Sequence, residues 1–261
     1  MFEVARYEAE RRSVGAFVAA AGLSLFAALF LAIGPSIISE VDFTAYFEAL
    51  PPAFQQAFAV DAMGSFAGLL AVELYQFGWV IMLGIYFAYL GGGSIAGDVE
   101  SGRADMLLST PLSRSRLVGE KFLSLAWPVL VVNVVVGAVV YVGSLLVDEA
   151  IPLADVLAVH ALSIPYLLLT AALGVLCSTV FDGAAAAQRV AAGLVFALFL
   201  VDSLVAGTDF EWLGSLSPSR FYDPSAILVE GEYDLLGALV LAETAVLLLV
   251  LSLLVFQRRD L

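Results

Sequence analysis

The chain has 261 residues, of which 62% are hydrophobic and only 14% are charged, and its formal net charge is −14. Soluble domains contain about 45–50% apolar and about 25% charged residues, so this composition indicates an integral membrane protein. The acidic balance excludes nucleic acid as a partner, because phosphate binding needs a basic surface. With one cysteine, Cys177, and one histidine, His160, the sequence has too few ligands for a zinc site.

Six apolar segments are each long enough to cross a bilayer, which takes roughly 20 mostly apolar residues. We number them spans 1 to 6, and they cover about residues 15–38, 74–96, 122–147, 156–180, 190–206 and 235–256. A spanning segment has to satisfy its backbone internally, and these segments lack the alternation of barrel strands, so we predict helices. The predicted fold is an all-α polytopic membrane protein with six transmembrane helices in a single domain, residues 1–261.

The basic residues predict the orientation, because Lys and Arg concentrate on the cytoplasmic side. All of them except Arg220 fall before span 1, between spans 2 and 3, between spans 4 and 5, or after span 6. We therefore predict that both termini are cytoplasmic. The segments at residues 39–73 and 207–234 are then outer segments, and a short interfacial helix is expected in the first of them at Ala53–Phe58.

The stretch between spans 2 and 3, residues 97–121, is the most polar part of the predicted cytoplasmic side. A short helix is expected over Arg103–Ser109, ending before Pro111, because the residue before proline disfavours helical geometry. Ser113 is placed to cap the helix that leads into span 3. Met106, Leu107 and Leu108 form an apolar group among charges. This stretch is either an ordinary solvated loop whose leucines touch the spans or a docking helix for a cytoplasmic partner.

The run from Tyr89 to Phe122 resembles the membrane subunits of type-2 ABC exporters. In that family a span ends in small residues, an acidic Gly-Asp/Glu-x-Glu-x-Gly stretch follows, then a Leu-Leu-Ser-x-Pro-Leu-Ser-Arg element, then a lysine that enters the next span. The matching positions here are Gly97, Asp98, Glu100, Gly102, Leu107, Leu108, Ser109, Pro111, Leu112, Ser113, Arg114 and Lys121. The six spans and the basic segments at both ends fit the same layout.

The resemblance implies a permease subunit of the cell membrane that forms a substrate pathway as a homodimer or with a related permease. The loop between spans 2 and 3 is implied to hold a coupling helix that seats in an ATPase, of which two copies bind. The coupling residues would be Asp98, Glu100, Gly102, Arg103, Met106, Leu107, Leu108, Pro111, Arg114 and Lys121. Residues 1–14 resemble the cytoplasmic interface segment of the family.

No catalytic site or cofactor is expected in this chain. A phosphate-binding P-loop needs Gly-x-x-x-x-Gly-Lys-Ser/Thr, and the only lysine, Lys121, follows Gly119-Glu120 and precedes Phe122. ATP hydrolysis would therefore belong to a partner chain. Residues 91–96 match Gly-x-Gly-x-x-Ala, but they end a long apolar segment rather than following a strand, so their small residues indicate close helix packing or a helix end.

Two acidic residues leave a second functional class open. Asp202 and Glu243 lie in or near spans 5 and 6, where a carboxylate is costly and often functional. They could line a substrate pathway, pair across helices, or lie in water at the outer interface. The alternative function is accordingly a secondary transporter or channel that uses intramembrane carboxylates. A membrane enzyme is a third class, for which the sequence offers no plausible set of catalytic residues.

Overall fold

The computed structural model describes residues 2–40 and 64–259, and within these ranges it is helical with no strand. This confirms the all-α polytopic fold. The helix expected at Ala53–Phe58 lies outside the described residues. The helices, in chain order, are α1 (Glu3–Glu40), α2 (Phe66–Leu70), α3 (Gly84–Gly92), α4 (Ala96–Glu100), α5 (Arg103–Leu108), α6 (Arg114–Leu146), α7 (Leu153–Val180), α8 (Ala184–Val205) and α9 (Leu235–Gln257).

Two π-helical stretches and two 3₁₀ turns lie between these α-helices in the described part of the chain. A π-helical stretch at Ala71–Leu83 joins α2 to α3, and another lies at Ala226–Glu230. Two 3₁₀ turns, Glu211–Leu216 and Pro218–Phe221, lie between α8 and α9.

Six helical segments of the described chain are long and apolar enough to cross a membrane, as the sequence predicts. They are α1, the run Phe66–Glu100, α6, α7, α8 and α9. At the amino-terminal end, residues 3–14, the predicted cytoplasmic interface segment, form the first turns of α1. No proline interrupts this stretch and its Ala, Glu and Arg residues favour helix, so the helix continues into span 1.

The core of the bundle forms around α7, which contacts α3, α6, α8 and α9, while α1 packs mainly on α6. The largest fully buried side chains are Tyr75 and Trp79 of the π-helical stretch, Phe87 of α3 and Tyr166 of α7. The π-helical stretch is held from the side by Tyr166, whose hydroxyl donates a 2.6 Å hydrogen bond to the carbonyl of Val80. A hydrogen bond from α7 therefore stabilises this π-helical departure from α-helical geometry.

Glycines allow α3 and α7 to approach closely. A Cβ atom added to Gly91 would collide with the carbonyl oxygen of Ala171, and one added to Gly174 would collide with the carbonyl oxygen of Ala88. Both obstacles are backbone atoms, which cannot rotate away. The interpretation of residues 91–96 as a close-packing segment is therefore confirmed.

The bundle has two distinct ends. At one end the start of α1, the segment from α4 to the start of α6, the turn after α7 and the end of α9 contact one another through hydrogen bonds and ion pairs. The start of α8 joins this end through the hydrogen bond from the N–H of Ala184 to Glu100, and Arg189 lies in the first turns of α8. All described basic residues except Arg220 therefore belong to this end, which we call the basic end. At the other end, which we call the acidic end, Tyr233 donates a 2.5 Å hydrogen bond to Asp155, and Arg220 lies beside Asp202 and Glu211. The assignment of the basic end to the cytoplasm stays a prediction.

Candidate functional site

Five charged side chains from four helices meet at the basic end. We call Glu8, Arg12, Asp98, Arg103 and Lys121 the charge cluster. Lys121 Nζ lies 2.7 Å from Glu8 Oε1 and 2.6 Å from Asp98 Oδ2. Arg103 reaches the same two carboxylates, at 3.3 Å from Glu8 and 3.4 Å from Asp98. Arg12 lies 3.8 Å from Glu8 on the next turn of α1.

Burial makes these ion pairs structurally important. The side chains of Lys121, Glu8 and Asp98 are only 2%, 4% and 6% exposed. Removing a charge from water costs several kcal/mol, which is offset only when the partner remains and the geometry is good. Each of these groups therefore constrains the others, and α1, α4, α5 and α6 are held in one arrangement.

A second carboxylate joins the start of α1 to the start of α6. Glu120 Oε2 accepts hydrogen bonds from the backbone N–H groups of Val4, at 2.9 Å, and Ala5, at 3.1 Å. These donors have no partner within their own helix, and a negative charge at a helix amino terminus is favourable. Arg116 Nε donates to Glu120 Oε1 at 2.6 Å, which forms an i,i+4 ion pair on α6.

The segment from α4 to α5 is anchored by its own polar groups. Ser178 Oγ of α7 accepts hydrogen bonds from the N–H groups of Ile95 and Ala96 at the start of α4. Glu100 accepts from the N–H of Ala184 at the start of α8, at 2.9 Å. Gly102 then has a φ of 70°, a left-handed conformation that glycine adopts without strain and that reverses the chain into α5.

Helix α5 is the short helix expected from the sequence, and it ends at Leu108, before Pro111. Its Ala104 is buried, while Leu107 and Leu108 are half-buried and pack against the core of the bundle. Met106 is 63% exposed. The apolar surface that α5 exposes is therefore smaller than the sequence indicates, because two of the three side chains, those of Leu107 and Leu108, turn inward.

Arg114 and Arg259 attach the carboxyl-terminal segment to this site. The Arg114 guanidinium donates to the carbonyl oxygens of Phe256 and Gln257, the last two residues of α9, and of Arg259 just beyond it. Arg259 donates to the carbonyl oxygens of Thr179 and Phe181 after α7 and pairs with Asp182 at 2.6 Å. Cations at helix carboxyl termini complement the helix dipole. Arg114 therefore has a structural role that the sequence did not reveal.

Asp202 and Glu243, the two carboxylates predicted to line a substrate pathway, have different surroundings. Asp202 Oδ2 accepts a 2.7 Å hydrogen bond from Ser219, and Oδ1 lies 3.8 Å from Arg220, within the acidic end. Glu243 is exposed on α9. Among the described residues, no hydrogen bond or ion pair joins Asp202 to Glu243, so the structure does not bring them together.

A polar group inside the bundle was missed by sequence reasoning. We call Tyr75, Trp79, Asn133, His160 and Ser163 the polar cluster. The hydroxyl of Tyr75 lies 3.0 Å from His160 Nε2, and His160 Nδ1 lies 3.0 Å from Asn133 Oδ1. Ser163 donates to Asn133 Oδ1 at 2.8 Å and accepts from Trp79 Nε1 at 3.0 Å. The available signal was Asn133 itself, an amide within an otherwise apolar run.

The charge cluster also contains residues that the sequence did not single out. Glu8 and Arg12 precede Asp98 by 90 and 86 residues, so no local sequence pattern indicates this contact. Only the i,i+4 spacing of Glu8 and Arg12 can be read from the sequence. In the described ranges no three His, Cys, Asp or Glu side chains are grouped to hold a metal ion. What the site can do is transmit force or bind a partner through fixed charges.

The fold and the distribution of charge define a multi-pass α-helical membrane protein with an ordered basic end. The chain belongs to the family described as Protein of unknown function (DUF2705), whose model matches residues 18–261. The match includes Asp98, Arg103 and Lys121 and begins after Glu8 and Arg12. No curated protein matches the chain.

Proposed function

We propose that this chain is the transmembrane permease subunit of an ATP-driven ABC-type exporter of the type-2 class, located in the cell membrane. The observation that carries the proposal is the position of α5 at the basic end, where the helix exposes Met106 and is tied to the spans through Arg103. The resemblance of residues 89–122 to the coupling segment of those exporters supports the same conclusion. Two copies of the chain, or one copy and a related permease, would form the pathway.

The proposed mechanism uses the charge cluster as a rigid link. Two separate ATPase chains dock at the basic end and contact α5. When they close on ATP, α5 moves, and Arg103 transfers that displacement to Glu8 of α1 and Asp98 of α4. Buried ion pairs resist local rearrangement, so the displacement reaches α1 and α6 as movements of whole helices. The chain itself contributes no bond-making chemistry.

The orientation predicted from the basic residues is consistent with this role. An ATPase in the cytosol can dock only on the cytoplasmic side, and the positive-inside rule assigns the basic end to that side. The secondary-transporter alternative requires ionisable groups that act together within the membrane. Asp202 is engaged by Ser219 and Arg220 at the acidic end, which gives that alternative no specific support.

Copurification from native membranes tests the proposal. The wild-type chain is expected to retain an ATPase that contains a P-loop, whereas Met106→Asp, which places a charge on the exposed apolar side chain of α5, is expected to lose it. Leu216→Asp is the matched control, because Leu216 is 66% exposed at the acidic end and Met106 is 63% exposed. A wild-type chain without any such ATPase, or equal retention by Met106→Asp and wild type, would overturn the proposal.

A further inference from the structure

A cleft beside the charge cluster is built for an anion. It has a volume of about 560 Å³ and lies between the start of α1, the turn between α3 and α4, and the first turns of α8. The side chains whose N–H groups can donate hydrogen bonds into it are Arg11, Arg12, Arg103, Lys121 and Gln188. None of the positions Arg11, Arg12, Ser94 and Gln188 takes part in the proposed docking of an ATPase.

The charge of the cleft is opposite to that of the chain. The four basic residues Arg11, Arg12, Arg103 and Lys121 face two carboxylates, those of Glu8 and Asp98, although the whole chain carries a net charge of −14. Both carboxylates are already paired with Lys121 and Arg103 at 2.6–3.4 Å. Arg11 and Arg12 lie farther from Glu8, at 4.0 and 3.8 Å, so the cationic excess resides with these two residues.

Arg12 is the residue with unused binding capacity. Its side chain is only 15% exposed, and its nearest carboxylate, that of Glu8, is 3.8 Å away. Its Nη1 atom is buried and has no hydrogen-bond partner among the described residues. A buried guanidinium with an unused donor is costly, and the planar fork of arginine matches the oxygens of a phosphate group. A bound oxyanion would supply the missing partner.

The location of the cleft selects a ligand that is partly apolar. Leu90, at the end of span 2, lines the cleft, and the adjacent Tyr89 is 46% exposed. Further along the same span, Met82 is 54% exposed. A charged site at the end of a spanning helix that also carries exposed apolar side chains has the layout of a lipid headgroup above its acyl chain. We propose that the cleft binds the phosphate-type oxyanion of an anionic membrane lipid through Arg11 and Arg12.

Ligand-dependent thermal stability of the purified full-length chain in neutral detergent tests this site, because a ligand that binds only the folded state raises Tm in a saturable way. The probes are short-chain phosphatidylglycerol, short-chain phosphatidylcholine and inorganic phosphate. We expect phosphatidylglycerol to raise Tm and phosphatidylcholine to have little effect. In Arg12→Gln the apparent Kd for phosphatidylglycerol should rise at least about tenfold, since a hydrogen-bonded charge is lost.

Two further variants separate binding from folding. Arg6→Gln removes the same charge from α1, but Arg6 is 83% exposed and pairs with Glu10, so its Kd should equal that of the wild type. Gln188→Glu adds a carboxylate to the opposite wall of the cleft without altering any ion pair, and it should weaken binding even if Arg12→Gln fails to fold. Equal Kd values in wild type, Gln188→Glu and Arg6→Gln would overturn the site. A saturable response to inorganic phosphate alone, lost in Gln188→Glu, would retain the anion site and overturn the lipid as its source.

Discussion

Glu8 and Lys121, which are 113 residues apart in the sequence, form an ion pair of 2.7 Å in which both side chains are almost completely buried. The pair joins the first turns of α1 to the first turns of α6. Asp98 lies 2.6 Å from the same ammonium group, so the only lysine of the chain connects three helices. Loss of this cation would leave two buried carboxylates with only the longer contacts that Arg103 makes to both, at 3.3 and 3.4 Å.

Substitution of Lys121 is therefore expected to destabilise the folded chain strongly. Lys121→Met should lower the free energy of unfolding by about 3–5 kcal/mol, because two buried carboxylates lose their closest cationic partner. Lys121→Arg keeps the positive charge and should lower the free energy of unfolding by a smaller amount. The measurement is thermal unfolding of the purified chain in detergent. As a control, Arg6→Gln breaks the exposed pair with Glu10 and should leave Tm unchanged, since exposed ion pairs contribute little. Equal Tm values for Lys121→Met and Arg6→Gln would contradict the structural role of the cluster.

A double-mutant cycle isolates the contact between the two residues. Glu8→Gln removes one of the carboxylates that Lys121 neutralises, so the Glu8→Gln/Lys121→Met double variant should be more stable than the sum of the two single effects predicts. A coupling energy of about 0.5–3 kcal/mol is typical of residues in direct contact. Strict additivity of the two losses would show that the residues do not interact.

The close approach of α3 and α7 predicts a strong effect of one methyl group. Gly174→Ala should destabilise the chain by about 1–3 kcal/mol, because the new Cβ meets the carbonyl oxygen of Ala88 and the helices have to separate. Gly193→Ala is the matched control: Gly193 lies inside α8, and a Cβ there meets nothing within 4 Å. It should be neutral or stabilising by up to about 1 kcal/mol, through helix propensity. Similar Tm changes in both variants would argue against the packing described.

The polar cluster should behave as a connected unit. Asn133→Leu removes the acceptor shared by His160 and Ser163 and should cost about 1–3 kcal/mol, because buried polar atoms lose their partner. Val134→Leu, at the next position, changes a side chain that is 69% exposed and should have almost no effect. Comparison of the two Tm values tests the cluster, and an unchanged Tm for Asn133→Leu would show that these hydrogen bonds contribute no net stability.

The orientation can be measured by cysteine labelling in intact cells. Cys177→Ala removes the native thiol, and single cysteines are then introduced at Ser109, beside α5, and at Glu149, between α6 and α7. We expect a membrane-impermeant maleimide to label Glu149→Cys in intact cells and Ser109→Cys only after permeabilisation. Labelling with the two positions interchanged would place the basic end outside the cytoplasm.

Local patterns predicted the helices well and the contacts between them poorly. Long apolar runs, the cap at Ser113 and the stop before Pro111 depend on neighbouring residues, so the sequence was sufficient for them. The partners of Lys121 depend on which helices pack together, and no local signal specifies that Glu8 lies beside it.

In the candidate site, too, the local helix could be predicted from the sequence, whereas the contacts between helices could not. The existence of α5 was predictable, but the inward turn of Leu107 and Leu108 depends on the packing of the loop against the bundle. Arg114 matched the coupling segment by sequence, whereas its contacts with the end of α9 arise from tertiary structure. A charge reversal at Arg114 would therefore disturb the fold as well as any docking surface, and Met106 is the cleaner probe.

The most direct test of the proposed function is a photo-cross-linking residue placed at position 106 in native membranes, with position 216 as the matched site at the acidic end. Irradiation is expected to join position 106 to a protein that mass spectrometry identifies as an ATPase with a P-loop, and to give no such product from position 216. Absence of that adduct at position 106 in membranes where the ATPase is present, or an equal yield from position 216, would contradict the docking of an ATPase on α5.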